Sequence, residues 1–159
     1  MTPAIRLLQR EQVAFKQHPY EHDPDAESFG VEAATKLGVE PARVFKTLVC
    51  QADELGLLMV LVPAEARLDL KKLARALGVK KADLADPVQA ERTTGYVLGG
   101  ISPLGGRKAL PTWLDESVRR HSTVFVSAGR RGLQIELAPA DLIRLTAGST
   151  ADLGAQVGP

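Results

Sequence analysis

Two apolar, strand-like runs separated by a short segment constrain the fold more than any other feature of this sequence. The first run is RVFKTLVC (43–50), and the second is LLMVLV (57–62), which ends at Pro63. β-branched, aromatic and aliphatic residues dominate both runs, which suits buried or half-buried strands. Residues 51–56 are too few for a helical crossover, so the sequence favours a mixed or antiparallel sheet over a doubly wound parallel one.

Helical and strand patterns alternate along the rest of the chain, so we predict a single α+β domain. Helices are predicted from Thr2, over 28–37 and 69–77, from Asp86 and over 139–145. Strands are predicted over 13–20 and 96–98, and a hairpin over 123–137. We expect the domain to span residues 1–148 and the small, polar residues 149–159 to form a flexible tail.

Composition narrows the function classes. The chain has 159 residues and a net charge of +1, so any nucleic-acid contact requires a local basic patch. A single cysteine, Cys50, excludes an intrachain disulfide and a multi-cysteine zinc site. The N-terminus lacks an apolar signal region, and no apolar segment reaches membrane-spanning length. We predict a soluble cytoplasmic protein with no DNA or membrane partner.

Lys46 interrupts the first apolar run. On a strand it shares a face with Val44, Leu48 and Cys50. It could protect an exposed sheet edge, extend from a half-buried face to water, or point into a polar pocket to meet an anion. The residues alone leave these three interpretations open. Cys50 has apolar neighbours and is predicted to be a buried, inert thiol.

The segment GYVLGGISPLGG (95–106) is rich in glycine. Glycine lets a ligand approach the main chain, whose amides can then bind an anion or a developing oxyanion. A flexible turn between strands is the alternative. Basic residues at Lys71, Lys72 and Arg75 lie on the outer face of a predicted helix, as either a solvated face or a phosphate-binding surface. His18 and His22 flank Pro19 and are interpreted as surface residues rather than metal ligands.

Several segments taken together resemble a known family. They are TPAIRLL (2–8), YEHDP (20–24), VFKTLV (44–49), LDLKKLARALG (68–78), ADP (85–87), TGYVLGGISPLG (94–105) and RRGLQIEL (130–137). In this order they are similar to the YbaK family of Cys-tRNA(Pro) deacylases, relatives of the editing domain of bacterial prolyl-tRNA synthetases. The similarity extends from Thr2 to about Leu145.

The resemblance implies a curved, barrel-like mixed sheet flanked by helices and a set of site residues. The essential lysine of the family matches Lys46. The family's GxxxP loop matches Gly99, Gly100, Ile101, Ser102 and Pro103, and we expect Gly100, through a positive φ angle and a close main-chain approach, to meet the substrate. Substrate-binding positions match Tyr20, Phe29, Thr47 and Gln134. Some family members carry aspartate near Gln134, so a carboxylate role there is in doubt.

The implied activity is hydrolysis of Cys-tRNA(Pro) with no cofactor and no metal. Lys46 and the GxxxP loop would position the ester, and the substrate's own thiol or a ribose hydroxyl would assist the attack. The tRNA would contact Lys71, Lys72 and Arg75, with prolyl-tRNA synthetase as a further partner. The alternatives are deacylation of Ala-tRNA(Pro) or another small aminoacyl-tRNA, and a non-catalytic module that binds aminoacyl-tRNA or the synthetase.

Overall fold

A computed structural model describes residues 1–155 of the chain. In chain order these residues form α1 (Pro3–Arg10), β1 (Phe15–Pro19), α2 (Phe29–Leu37), β2 (Phe45–Ala52), β3 (Gly56–Pro63), β4 (Arg67–Leu68), α3 (Leu70–Leu77), β5 (Ala82–Leu84), α4 (Pro87–Thr94), β6 (Thr112–Asp115), β7 (Val124–Arg130), β8 (Leu133–Leu137), α5 (Pro139–Thr146), β9 (Ser149–Ala151) and β10 (Gly154–Ala155). Short 3-10 helices cover Pro41–Arg43 and Glu116–Arg120.

The strands of residues 1–155 form three sheets. The largest has the order β5-β2-β3-β6-β9, and a second has the order β1-β8-β7. β2 pairs with β3 in antiparallel register, whereas β3–β6 and β6–β9 are parallel, so the large sheet is mixed. The predicted α+β fold with a mixed sheet is confirmed, and the strands do not close into a barrel.

The helix boundaries follow from local capping, as predicted. The side chains of Ser28, Asp69 and Asp86 accept backbone N–H groups at the starts of α2, α3 and α4. Gly38 and Gly78 end α2 and α3 in the left-handed conformation, with φ angles of 70° and 72°. No helix within residues 1–155 is both long and apolar enough to span a bilayer.

The strand predicted over 96–98 is wrong. The Tyr96 amide donates to Thr94 Oγ1 and the Tyr96 hydroxyl donates to the Leu104 carbonyl, so this residue is held by its own loop. Gly100 N donates to Val97 O at 2.9 Å, which closes a turn where a strand would continue. Tyr96 is buried against its own loop, whereas Val97 and Leu98 are exposed, so the three apolar residues do not form a strand.

The flexible tail predicted from residue 149 is wrong for residues 149–155. β9 pairs in parallel with β6, and Leu153 is fully buried. The Asp115 carboxylate accepts the amides of Leu153 and Gly154 at 2.9 and 3.0 Å, which fixes the segment despite its small, polar composition. Residues 156–159 lie outside the described residues.

The outer edge of β2 is only partly covered by other strands, and the uncovered part leaves an opening beside the strand. β5 pairs with β2 through Cys50, Gln51 and Ala52 alone. Near the other end, Val44 forms a parallel bridge with Phe125 of β7. Residues 45–48 lie between these two contacts and pair with β3 only. The gap between β5 and β7 is therefore an opening in the sheet that other elements line.

Candidate functional site

A cavity of about 500 Å³ occupies the gap beside β2. Its walls come from β2, from the start of α2, from the loop after α4 and from the β7–β8 hairpin. The lining residues that matter for chemistry are Phe29, Lys46, Thr47, Gly99, Ile101, Ser127 and Gln134. The fold thus brings together residues that lie far apart in the sequence, six of which were predicted as site residues.

Lys46 is partly buried in the cavity wall, and its Nζ donates to the Ala64 carbonyl at 3.5 Å. Burial lowers the pKa of Lys46 below its ordinary value, and the positive charge of Arg67 lowers it further. No carboxylate within residues 1–155 forms an ion pair with it. Lys46 thus lies on an open strand edge and also lines a cavity, so the interpretation that it meets an anion there stays a prediction.

Two buried polar atoms at the cavity lack a hydrogen-bond partner among the described residues: Thr47 Oγ1 and Gln134 Oε1. The Gln134 residue is 7% exposed. Buried polar atoms are normally paired, because an unpaired one costs about 1–3 kcal/mol. A bound ligand with a donor group would satisfy both atoms.

Ser127 joins this polar wall although the sequence analysis did not single it out. It lies opposite Gln134 in the β7–β8 pairing, and its hydroxyl donates to the Gly100 carbonyl at 2.9 Å. From the sequence alone, a serine on a hairpin strand would be expected to face solvent. Its position in the cavity depends on the pairing of β7 with β8.

The predicted GxxxP loop divides into residues that line the cavity and residues that support it. Gly99 and Ile101 line the cavity, and their amides have no acceptor among residues 1–155. The Gly100 amide donates to Val97 O, and Ser102 is fully buried with its hydroxyl accepting from Leu104 N at 3.2 Å. Pro103 is also buried.

The expectation that Gly100 needs a positive φ angle is wrong, and Gly100 does not line the cavity. Positive φ occurs at Gly99, at 83°. A Cβ at Gly100 would lie 2.8 Å from Arg130 Cα and 2.9 Å from Arg131 N, so the turn between β7 and β8 fills that space. A Cβ at Gly99 would lie 2.8 Å from the Phe29 ring. These glycines allow the loop to pack against the hairpin and α2.

Tyr20 lies beside the cavity rather than in its lining. Burial raises the pKa of the Tyr20 hydroxyl, while the Gly132 backbone and the Gln134 side chain partly oppose that shift. Tyr20 also lines an open groove of about 480 Å³ together with His22, Arg130 and Arg131. It therefore connects the polar wall of the cavity to a basic surface.

The basic helix face predicted to bind tRNA is partly used within the fold. Lys72 Nζ pairs with Asp152 at 3.0 Å and donates to the Gly154 carbonyl at 3.0 Å. Lys71 and Arg75 are exposed. α3 packs Leu73 in the same core cluster as Cys50, away from the residues that line the cavity.

The cysteine and the first two histidines have structural partners. Cys50 is fully buried, and burial followed by the charge of Asp83 raises its pKa to about 12. His18 pairs with Glu136 at 2.8 Å and His22 pairs with Glu32 at 2.7 Å, so both are partly buried and not free surface residues. Residues 1–155 contain no group of three or more His, Cys, Asp or Glu side chains arranged for a metal ion.

Comparison with known proteins identifies the family of this fold and site. The model of the aminoacyl-tRNA editing domain matches residues 23–145, and the chain belongs to this family. EbsC of Enterococcus faecalis, a candidate Cys-tRNA(Pro)/Cys-tRNA(Cys) deacylase, is 41% identical over 96% of this chain and 92% of its own length. The family predicted from the sequence is confirmed.

Two further proteins, one similar in sequence and one in structure, have names that refer to tRNA editing. ProXp-y of Escherichia coli K12, a multifunctional Ser/Thr-tRNA deacylase, is 28% identical over 89% of this chain and 84% of its own length. A crystal structure of a candidate trans-editing enzyme for prolyl-tRNA synthetase superposes with a TM-score of 0.81 at 27% identity, covering 98% of this chain and 99% of the other.

Proposed function

We propose that this chain is an aminoacyl-tRNA deacylase that removes cysteine from mischarged Cys-tRNA(Pro). The observation that carries the proposal is the cavity beside β2, which combines a partly buried lysine without a carboxylate partner, unpaired polar atoms and unpaired loop amides. A volume of about 500 Å³ accommodates a small aminoacyl group with part of the terminal adenosine. The similarity to EbsC supports cysteine as the amino acid.

Lys46 acts as a fixed cation for the end of the tRNA. Burial and then the charge of Arg67 lower the pKa of Lys46 below its ordinary value, and the side chain is only partly buried. An ammonium in a partly apolar wall binds a phosphate oxygen or the ribose hydroxyls of the terminal adenosine. This contact would orient the ester toward the loop.

The amides of Gly99 and Ile101 receive the ester carbonyl. Both lie on the cavity wall without an acceptor among the described residues. Amides fixed in this way stabilise the negative charge that develops on the carbonyl oxygen, an effect of about 10²–10³ in rate for one donor. Gly100 and Ser127 support the loop, because the Gly100 carbonyl accepts the Ser127 hydroxyl.

The attacking group comes from the substrate or from water. The cavity lining contains no cysteine or histidine, and its one carboxylate, Glu27, is exposed. In the direct route a water oxygen bonds to the carbonyl carbon, the bond to the ribose oxygen breaks, and that oxygen takes a proton. In the assisted route the cysteinyl sulfur bonds to its own carbonyl carbon, the bond to the ribose oxygen breaks, and the thiol proton passes to that oxygen. The resulting cyclic thioester is then opened by water to give cysteine, so positioning is the main contribution of the protein.

Serine is a second candidate for the aminoacyl group. Thr47 Oγ1 and Gln134 Oε1 are unpaired acceptors, and a seryl hydroxyl is a better donor to them than a thiol. ProXp-y, named for Ser/Thr-tRNA, is a relative of this chain. A serine substrate has no thiol and would therefore use the direct route with water.

Deacylation by the purified protein tests both candidates. tRNA(Pro) charged with cysteine, serine, alanine or proline is incubated with the protein, with and without EDTA. We expect hydrolysis of the cysteinyl ester to be fastest, that of the prolyl ester to be slowest, and no effect of EDTA. If the protein hydrolyses none of the four esters, the non-catalytic binding module becomes the better interpretation. If EDTA abolishes the activity and zinc restores it, the metal-free mechanism is wrong.

A further inference from the structure

Two consecutive arginines lie where β7 turns into β8 at the edge of the cavity: Arg130 ends β7, and Arg131 begins the turn. Arg130 and Arg131 are both exposed. Arg131 Nε donates to the Leu98 carbonyl at 2.9 Å, and its guanidinium carbon lies 5.0 Å from the centre of the Phe29 ring. Leu98 and Phe29 both line the cavity, so Arg131 is fixed across two of its walls.

The charges of these arginines are not neutralised within the described chain. Neither pairs with a carboxylate among residues 1–155, whereas Arg43, Lys72 and Arg144 all do. The hydrogen bond of Arg131 uses Nε and leaves its two terminal nitrogens without an acceptor in the same residues. A guanidinium held by a cation–π contact and by one hydrogen bond presents its two terminal nitrogens as a fork that suits a phosphate.

The surroundings of the turn suit a nucleotide strand. The open groove beside it is lined by Tyr20, His22 and both arginines, with Glu21 as its one acidic residue. The cavity rim carries the exposed apolar side chains of Leu84 and Leu98, which are 56% and 39% exposed. Cations next to apolar and aromatic surfaces are the combination that binds the phosphates and bases of single-stranded nucleic acid.

We propose that Arg131, supported by Arg130, binds a backbone phosphate in the single-stranded 3′ end of the tRNA, just before the terminal adenosine. The proposal rests on the deacylase function for the identity of this ligand. It assigns the main tRNA contact to the β7–β8 turn and not to the face of α3. The Leu84 and Leu98 rim then faces a base of the same strand.

Two substrates that differ in their phosphates test this assignment. One is a cysteinylated acceptor-stem minihelix, and the other is 3′-O-cysteinyl adenosine, which has no phosphate. Arg131→Gln should lower kcat/KM for the minihelix by roughly tenfold or more, the effect of losing one charged contact, and change it less than about twofold for the adenosine ester. Arg131→Lys should fall between. Arg10→Gln is the matched control that should leave both values unchanged, because this exposed arginine of α1 lines neither the cavity nor the open groove.

An equal loss on both substrates would overturn the proposal, because Arg131 would then act only by shaping Leu98 and Phe29. Unchanged activity on the minihelix would also overturn it. Arg130→Gln, at a side chain without a hydrogen-bond partner in the described residues, provides a second variant if Arg131→Gln unfolds. This variant should lower kcat/KM for the minihelix and leave kcat/KM for the adenosine ester unchanged. If both values equal those of the wild type, the proposed phosphate site is wrong.

Binding of the uncharged minihelix separates this proposal from the deacylase function. Fluorescence anisotropy across a salt series should show weaker binding by Arg131→Gln and a slope of log K against log salt that is smaller by about 0.7, the value for one single-strand phosphate. If wild type hydrolyses no ester but this difference is present, the deacylase function fails and the phosphate site stands. If wild type is active and the difference is absent, the phosphate site fails alone.

Discussion

The two ends of β2 belong to one strand of one sheet and differ in what lies beside them. At Cys50–Ala52 the strand has β3 on one side and β5 on the other, and Cys50 is fully buried with a pKa of about 12. At residues 45–48 the second neighbour is missing, and a partly buried lysine and an unpaired threonine hydroxyl face the gap. The difference shows that a site can arise where sheet pairing stops.

Energetics explain why the two ends have different residue types. A fully paired strand end gains stability from apolar packing, and polar side chains there would be buried without partners. The open end keeps the partly buried Lys46 together with Thr47 and, from β8, Gln134, and the unpaired oxygens of Thr47 and Gln134 cost stability in the folded protein. We therefore expect changes at the open end to alter activity and changes at the closed end to alter stability.

The largest effect should come from Lys46→Ala. Removal of the positioned cation should lower kcat/KM for Cys-tRNA(Pro) by about 10²–10³, the scale of one strong electrostatic contact, while the protein stays folded. Steady-state deacylation together with thermal unfolding measures both quantities. A variant that keeps the wild-type rate would place the active site elsewhere than the gap beside β2.

Gly100→Ala should lower turnover by about a hundredfold, through displacement of the loop amides. The added Cβ would lie within 2.9 Å of backbone atoms of Arg130 and Arg131, so the loop or the turn must move. Gly106→Ala is the matched control, since a Cβ there lies 3.4 Å from its nearest neighbour and φ is not positive. Equal rates for the two variants would show that the loop is only a connection.

Changing Lys71, Lys72 and Arg75 together to Ala should weaken tRNA binding by less than Arg131→Gln. Lys72 is already paired with Asp152, and all three lie on the helix that covers the closed end of β2. Binding titrations at two salt concentrations measure the effect, and we expect a loss of no more than a few fold. A larger loss than for Arg131→Gln would restore α3 as the main tRNA surface.

Cys50→Ala tests the closed end of the strand. The substitution removes a buried sulfur and should lower the free energy of unfolding by about 1 kcal/mol, the scale of a small cavity, with deacylation unchanged. Denaturant unfolding and the cysteinyl-tRNA assay measure the two quantities. A folded but inactive variant would mean that a protein thiol takes part in the reaction.

Lys46→Met should give a small gain in stability that depends on pH. The folded-state pKa of Lys46 lies below its ordinary value of 10.5, so between these two values the unfolded chain binds more protons and wild-type stability rises with pH. Below that window the buried ammonium destabilises the fold by a constant amount. The stability of the variant should thus exceed that of the wild type most at neutral pH, and the difference should narrow toward pH 10.5. Thermal unfolding at several pH values measures this difference. A difference that does not change with pH would contradict the effect of burial on Lys46.

Features set by neighbouring residues could be predicted from the sequence, and features set by distant pairing could not. The caps at Ser28 and Asp69 and the β7–β8 hairpin depend on a few adjacent residues. β6 is held by parallel pairing with β3 and β9, and its four residues carry no comparable local signal. The ordered C-terminal segment could not be predicted for the same reason, because Leu153 is held by Asp115, which lies 38 positions earlier in the chain.

The candidate site shows the same limit. Lys46, Thr47, Phe29, Gly99, Ile101 and Gln134 were predicted through the family resemblance and do line one cavity. Ser127 and the true role of Gly100 depend on how β7 and the loop meet in three dimensions. Arg131 was not singled out from the sequence, because its importance rests on its contacts with Leu98 and Phe29 in the folded chain.

The central claim is that the gap at the open end of β2 binds the aminoacyl adenosine. A stable amide analogue, 3′-cysteinylamino-3′-deoxyadenosine, can be titrated into the isotope-labelled protein while backbone amide resonances are recorded. The account predicts shifts at Lys46, Thr47, Gly99, Ile101 and Gln134, and none beyond noise at Gln51 and Ala52. Shifts centred on the closed end of β2, or on a separate cavity of about 760 Å³ lined by Glu65 and His121, would contradict it.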